Sequence, residues 1–342
     1  MALYPFKFQP RFVEKMWGGR KIETILGKKL PTDKPVGESW ELFDFPPGVV
    51  EGSTDWVSAK IANGPLAGRT LHSLVGEFGK QITGDVPLVN TPHGGQFPIL
   101  IKFLDAREDL SVQVHPDQQY ADTHPGAHLK SEAWYVFQND PGARILKGFN
   151  RPTARDEFKA AIDTGKVEAY IKGIPVKAGD CHYLPSGTIH ALGAGILAAE
   201  VQTPSDTTYR VYDFNRVDPS TGKLRTLHVA QALECIDFSG EEDVQQRSHV
   251  AGFHTTVTRL VTCPFFTLEK VRMTEGVQQD MPYDQPVVWM FLEGSAEISV
   301  ADLKEPVTLK PGETVLFPAA MEKPHIKTTA DCVWLEVTFP VK

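Results

Sequence analysis

The chain has 342 residues, 41% of them hydrophobic and 23% charged, which is enough for a sizeable core in two or three structural units. Its formal net charge of -8 comes with no block of Lys and Arg; this argues against nucleic acid as the main partner and leaves room only for a local basic pocket, such as one that holds a single phosphate. No apolar run approaches the roughly 20 residues that span a bilayer, no basic-then-apolar leader opens the chain, and Cys181, Cys235, Cys263 and Cys332 form no CxxC pair, so the expectation is buried thiols, no membrane partner and a cytoplasmic setting.

In chain order, residues 69–79 read as a helix, and FPILIKFL (97–104), LSVQV (110–114) and AWYVF (133–137) read as strands. TARDEFKAAIDT (153–164) has helical spacing, with Thr153 as its N-cap and Phe158, Ala161 and Ile162 on one apolar face. Strands follow at CHYLP (181–185), ILAAEVQT (196–203) and TYRVYDF (208–214), then a third helix at 226–236 capped by Thr226. Beyond the polar stretch 239–250 come TLEKVRM (267–273), VVWMFLEG (287–294), AEISV (296–300), TVLFP (314–318) and CVWLEVTF (332–339). So many short strands between Gly and Pro turns predict a sandwich or small barrel with helical insertions.

An internal repeat divides the chain. KAGDCHYLP (177–185) matches KPGETVLFP (310–318), and AAEVQT (198–203) matches WLEVTF (334–339) in the same order. The repeat predicts two related β units, 1–238 and 251–342, with the boundary in the polar stretch.

One constellation carries chemistry. Gln113 and His115 are two apart on a strand, so both face one side while Val112 and Val114 face the other. Glu132 begins a strand that a hairpin return would bring beside them. Gly179, Pro185 and Gly187 supply the turns that carry His190 around a barrel rim. One amide oxygen, one carboxylate and two imidazoles suit zinc or another divalent first-row metal, and the lack of thiolates points to a catalytic ion. Ser111 shares the Gln113 face and suits a phosphate. Lys102 in LIKFL and Glu200 in AAEVQ are charges among apolar neighbours, so each needs a partner; Lys102 suits the substrate pocket, and Glu200 an acid–base role or a pairing with Lys or Arg. His124 and His128 read as solvated loop residues, and no phosphate-loop or dinucleotide fingerprint is present.

The spacing from Gly179 to His190 resembles the second motif of the cupin superfamily, and Gln113, His115 and Glu132 resemble its first, with Gln in place of the first His. With GESWE (37–41), FPILIKFLDA (97–106), LSVQVHPD (110–117), KSEAWYV (130–136) and residues 184–216, the chain resembles type I mannose-6-phosphate isomerases over most of 5–235. The resemblance implies a mainly β fold of two cupin-like jelly-roll barrels with a small helical insertion. It implies one Zn2+ per chain on Gln113, His115, Glu132 and His190, and interconversion of mannose 6-phosphate and fructose 6-phosphate, so the partner is a small sugar phosphate. It also implies that Arg210 and Lys130 reach the catalytic pocket. The second barrel departs from the metal pattern, since His325 has no companion ligands. Two other readings compete: a cupin dioxygenase or other metal-dependent cupin enzyme, which oxygen consumption would reveal, and a non-catalytic sugar-phosphate-binding cupin, which an isomerase assay would exclude.

Overall fold

The computed structural model describes residues 3–50, 52–219, 221–241, 243–281, 283–301 and 303–340. Its N-terminal half is built from two antiparallel sheets that face each other. One runs Cys181–Leu184, Glu132–Asn139, Ile196–Gln202, Leu100–Ala106, Arg11–Gly19 and Val36–Leu42. The other runs Ile171–Pro175, Arg144–Phe149, His190–Leu192, Val112–Val114 and Tyr209–Tyr212.

Leu100–Ala106 and Ile196–Gln202 are buried at every position, and the two faces of their sheet explain why. Alternate residues such as Ile101, Phe103, Ala133 and Val201 point outward into a core shared with Trp289 and Trp334 of the C-terminal half. Their neighbours Leu104, Trp134, Val136 and Ala198 point into the first barrel. A strand covered on both faces has no solvent side to mark with polar residues, and its sequence loses the alternation of a half-exposed strand.

The C-terminal half repeats the plan. An eight-stranded sheet runs His249–Ala251, Thr255–Thr262, Thr267–Met273, Cys332–Thr338, Val287–Glu293, Thr314–Phe317, Phe6–Gln9 and Lys60–Ile61. A four-stranded sheet runs Gln278–Asp280, His325–Thr328, Ala296–Ser299 and Val307–Leu309. The two halves are the jelly-roll barrels the sequence predicts. Two short segments from the start of the chain lie in the second barrel's sheet: Phe6 pairs with Leu316, and Phe8 with Ile61.

The repeat is a repeat of structure as well. In both copies the Lys amide donates to the acidic side chain three residues on, Lys177 to Asp180 and Lys310 to Glu313, each at 2.9 Å. Gly179 and Gly312 take the left-handed φ that closes this turn, +94° and +83°. Further along, Trp134 Nε1 donates to Glu200 Oε2 and Trp289 Nε1 to Glu336 Oε2, both at 2.8 Å and both across directly paired strand positions. The copies diverge around that pair. Lys102 lies opposite Glu200, whereas Glu269 lies opposite Glu336. Two residues before the tryptophan stands Glu132 in one copy and Val287 in the other.

His325 is partly exposed and its Nδ1 lies 2.9 Å from Asp280 Oδ1, its one carboxylate contact among the described residues. His325→Ala is therefore expected to leave metal content at one per chain; a count near two that falls to one in the variant would locate a second site in this barrel.

Two helix starts differ from the sequence expectation. The helix Leu71–Phe78 is capped by Thr70, which accepts from Ser73 N at 3.2 Å. The helix Arg155–Asp163 is entered at Ala154, because the Thr153 hydroxyl turns back to donate to the Arg151 carbonyl at 2.9 Å. The helix Val229–Cys235 begins after His228, and Thr226 instead gives its carbonyl to Arg210. Among the described residues, no helix is long and apolar enough to cross a membrane.

Candidate functional site

The site forms where the two sheets of the first barrel face each other. On the five-stranded sheet, His190, Gln113 and Arg210 are direct neighbours on three adjoining strands, so their side chains share one face. On the six-stranded sheet, Trp134, Glu200, Lys102 and Trp40 form a second row, and Glu132 stands two residues before Trp134 on the same face. The faces meet at Glu132: His190 Nε2 lies 3.2 Å from its Oε1 and His115 Nε2 lies 3.4 Å from its Oε2. His115, Glu132 and His190 are each 1% exposed.

The outer nitrogens decide what the inner ones can do. His115 Nδ1 lies 3.0 Å from the Thr207 carbonyl and His190 Nδ1 lies 2.8 Å from the Thr188 carbonyl. A carbonyl only accepts, so each Nδ1 carries the hydrogen and each Nε2 presents a lone pair. Two lone pairs then face the oxygens of a carboxylate, so these three side chains offer one another no donor, and the ammonium of Lys130 stands 3.1 Å from Glu132 Oε2. His115 Nε2 and both Glu132 oxygens are buried and accept no hydrogen bond. A cation between them satisfies all of these atoms, and their ligating atoms lie within 4.8 Å of one another.

The amide of Gln113 borders the same space, its Nε2 3.4 Å from His190 Nε2. Rotating the amide by half a turn presents its oxygen instead, the orientation a cation selects. The donor set of imidazole nitrogen, carboxylate and amide oxygen fits a divalent metal.

Electrostatics agree with this geometry. Burial alone would raise the Glu132 pKa, but the Lys130 ammonium, with Nζ 3.1 Å from Oε2, holds it well below the ordinary value. Burial and the Lys130 charge push His115 down to about 3, so the ring stays neutral near pH 7. Lys130 is itself buried.

Lys102 and Glu200, two charges in search of partners in the sequence, pair with each other at 3.0 Å. Glu38 completes the group: its carboxylate lies 3.6 Å from Lys102, 3.1 Å from Lys15 and accepts from Trp40 Nε1 at 2.7 Å. Burial would strip the proton from Lys102, but Glu200 and Glu38 hold its pKa above the ordinary value. Burial and the Glu132 charge push Glu200 up.

Ser111 is buried, its hydroxyl 3.4 Å from Gln113 Oε1, and it accepts from Arg210 Nε at 3.3 Å. Arg210 Nη1 donates to the Thr226 carbonyl at 2.8 Å. The neighbouring carboxylate, Asp213, is taken up by Arg216 and Arg225, which makes it a clamp on the rim. Tyr209 packs edge-on against Tyr120. His124 stacks on Tyr120 and His128 is half-buried in the loop; neither belongs to the His115–Glu132–His190 cluster.

The sequence did not single out Lys15, Glu38 or Asp206. Glu38 lies within GESWE, where its alternation with Trp40 was a usable signal. Asp206 is exposed in the loop after Ile196–Gln202; desolvation by the surrounding protein and the Glu38 charge raise its pKa.

Comparison with known proteins bears on this arrangement. Residues 5–145 match the family described as phosphomannose isomerase type I, catalytic domain. The mannose-6-phosphate isomerase of Streptococcus mutans is 36% identical, with 92% of each chain covered. The Bacillus subtilis mannose-6-phosphate isomerase ManA is 32% identical over 97% of this chain and 99% of its own. A crystal structure of the mannose 6-phosphate isomerase from Bacillus subtilis superposes with a TM-score of 0.85 at 31% identity, covering 99% of this chain and all of that one. With a continuous match along nearly its whole length in both sequence and fold, the chain belongs to the type I phosphomannose isomerase family.

Proposed function

We propose that the chain interconverts mannose 6-phosphate and fructose 6-phosphate, using one zinc ion held by Gln113, His115, Glu132 and His190. The observation that carries this reading is the pair of Nε2 lone pairs turned onto a buried carboxylate, beside Arg210, which makes no ion pair with a carboxylate among the described residues. When bound, the ion would polarise the sugar oxygens and favour the negative charge that develops in aldose–ketose isomerisation.

The protein's own groups supply the rest. Arg210 is a permanent cation at the mouth that holds an anion, either the enediolate or the phosphate. Ser111, which accepts from Arg210, fixes the guanidinium and offers a hydroxyl to the phosphate. Lys130 brings an ammonium to the substrate oxygens while it balances Glu132. Lys102 holds Glu200 in place and lines the substrate side of the pocket. Glu200, with its pKa pushed up, is suited to move the proton between C1 and C2. Residues 1–238 carry the catalytic unit in this reading, and 251–342 a second barrel without this chemistry, completed by the strands Phe6–Gln9 and Lys60–Ile61. The four free cysteines support a cytoplasmic setting.

The test is a coupled assay for fructose 6-phosphate formation from mannose 6-phosphate. Chelator treatment is expected to remove one ion per chain and abolish turnover, and zinc is expected to restore it. Full turnover in metal-free protein would overturn the reading.

A further inference from the structure

His115 owes its orientation to a backbone carbonyl, and that carbonyl belongs to a loop with little secondary structure of its own. Thr207, whose carbonyl receives His115 Nδ1–H, lies between the strands Ile196–Gln202 and Tyr209–Tyr212. Side-chain hydroxyls fasten this loop to the segment that leads into Lys130 and Glu132. His128 N donates to Thr207 Oγ1 at 3.1 Å, Ser205 Oγ donates to the His128 carbonyl at 3.1 Å, and Thr207 N donates back to Ser205 Oγ at 3.2 Å. Further along, Thr203 N donates to the Ser131 carbonyl at 3.0 Å and Ser131 N to Thr203 Oγ1 at 3.1 Å. The loop that orients His115 and the segment that carries Glu132 are thus joined by hydrogen bonds to side-chain hydroxyls.

We propose that the Ser205–Thr207–His128 latch sets the affinity of the metal centre by fixing the tautomer and ring plane of His115. The inference rests on His115 being a metal ligand, as read above. The latch residues are positioning residues, because they act through the imidazole. If the Thr207 carbonyl drifts, Nδ1 loses its acceptor, the ring can present either nitrogen, and part of the binding free energy goes into reordering it. Partners that orient a ligating histidine from behind typically contribute 10–100-fold in metal affinity.

Thr207→Val keeps the side-chain shape and removes the acceptor of His128 N–H, whereas Thr207→Ser keeps the hydroxyl. Apo protein would be titrated with Co2+ and Zn2+ against a competing chelator, with the Co2+ d–d absorption as a report on ligand geometry and the apo Tm as a report on the fold. Thr207→Val is expected to weaken metal binding roughly 10–100-fold and alter the d–d spectrum, and Thr207→Ser to restore both. Ser205→Ala, which removes two hydrogen bonds of the latch, is expected to weaken binding in the same direction and serves as the readout if Thr207→Val does not fold. Wild-type affinity and spectrum in the folded variants would overturn the proposal, and so would a lower apo Tm with unchanged affinity, which marks the hydroxyls as structural. Wild-type protein that takes up no metal would instead refute the reading of His115 as a ligand.

Discussion

His190→Ala is expected to abolish bound metal and isomerase activity together. His190 joins the two sheets at the site: it is the strand neighbour of Gln113 on one side and lies 3.2 Å from Glu132 on the other. Its Nδ1 is held by the Thr188 carbonyl, so Nε2 is committed to the interior. Alanine removes one of the four proposed ligands from a buried site. It also leaves Glu132 facing Lys130 and a single imidazole, a balance closer to a plain ion pair than to a cation trap. The loss in metal affinity is expected to exceed the roughly 10–100-fold that removal of an outer partner costs. Metal analysis of the purified variant, the coupled assay and a circular dichroism spectrum check this together. A folded variant that retains one tightly bound ion would remove His190 from the ligand set.

Arg210→Ala is expected to keep the metal and the fold while turnover falls roughly 10²–10³-fold, a barrier increase of about 2.7–4 kcal/mol. Among the described residues the guanidinium bonds only to Ser111 Oγ and the Thr226 carbonyl, and the carboxylate nearby is engaged with Arg216 and Arg225. Its charge is therefore without a carboxylate partner among the described residues, so its removal strands no buried acid and the cost falls on the reaction. If the guanidinium serves mainly the enediolate, the loss falls on kcat; if it holds the phosphate equally in ground and transition states, the loss falls on KM. The larger effect is expected on kcat. Near-normal kcat and KM in a folded, metal-loaded variant would take Arg210 out of the active site.

The residues behind these expectations differ in how readily the sequence reveals them. Gln113 and His115 announce a shared face because strand periodicity is a local rule, and their valine neighbours mark the opposite face. The Gly179–His190 spacing is legible for the same reason, since the turn chemistry lies within a dozen residues. Lys102 and Glu200 were recognisable as charges needing partners, but that they serve each other depends on strand order, which no local pattern encodes. Asp206 lies on a loop without periodicity and left no signal. The helix starts at Thr153 and Thr226 went astray because a hydroxyl and a carbonyl there found tertiary or neighbouring partners instead. The alternation in the strand Arg11–Gly19 is interrupted by a register shift between Val13 and Glu14 and by the glycine pair at its end, so it passed unread.

The pairing of Phe6 with Leu316 sets a clock on biosynthesis. At about 5–20 residues per second, the first strand leaves the ribosome roughly 15–60 s before its partner exists. Through that interval Phe8 can already pair with Ile61 and Tyr4 can bond Asn63, but Phe6, buried in the finished molecule, lacks the strand on its other side. The first barrel can assemble in the meantime, while the strand Phe6–Gln9 keeps one edge unpaired until Thr314–Phe317 is made. Interrupting translation before Thr314–Phe317 is made would therefore produce a chain whose first strand has an open edge, even though every residue of the candidate metal centre has already been synthesised.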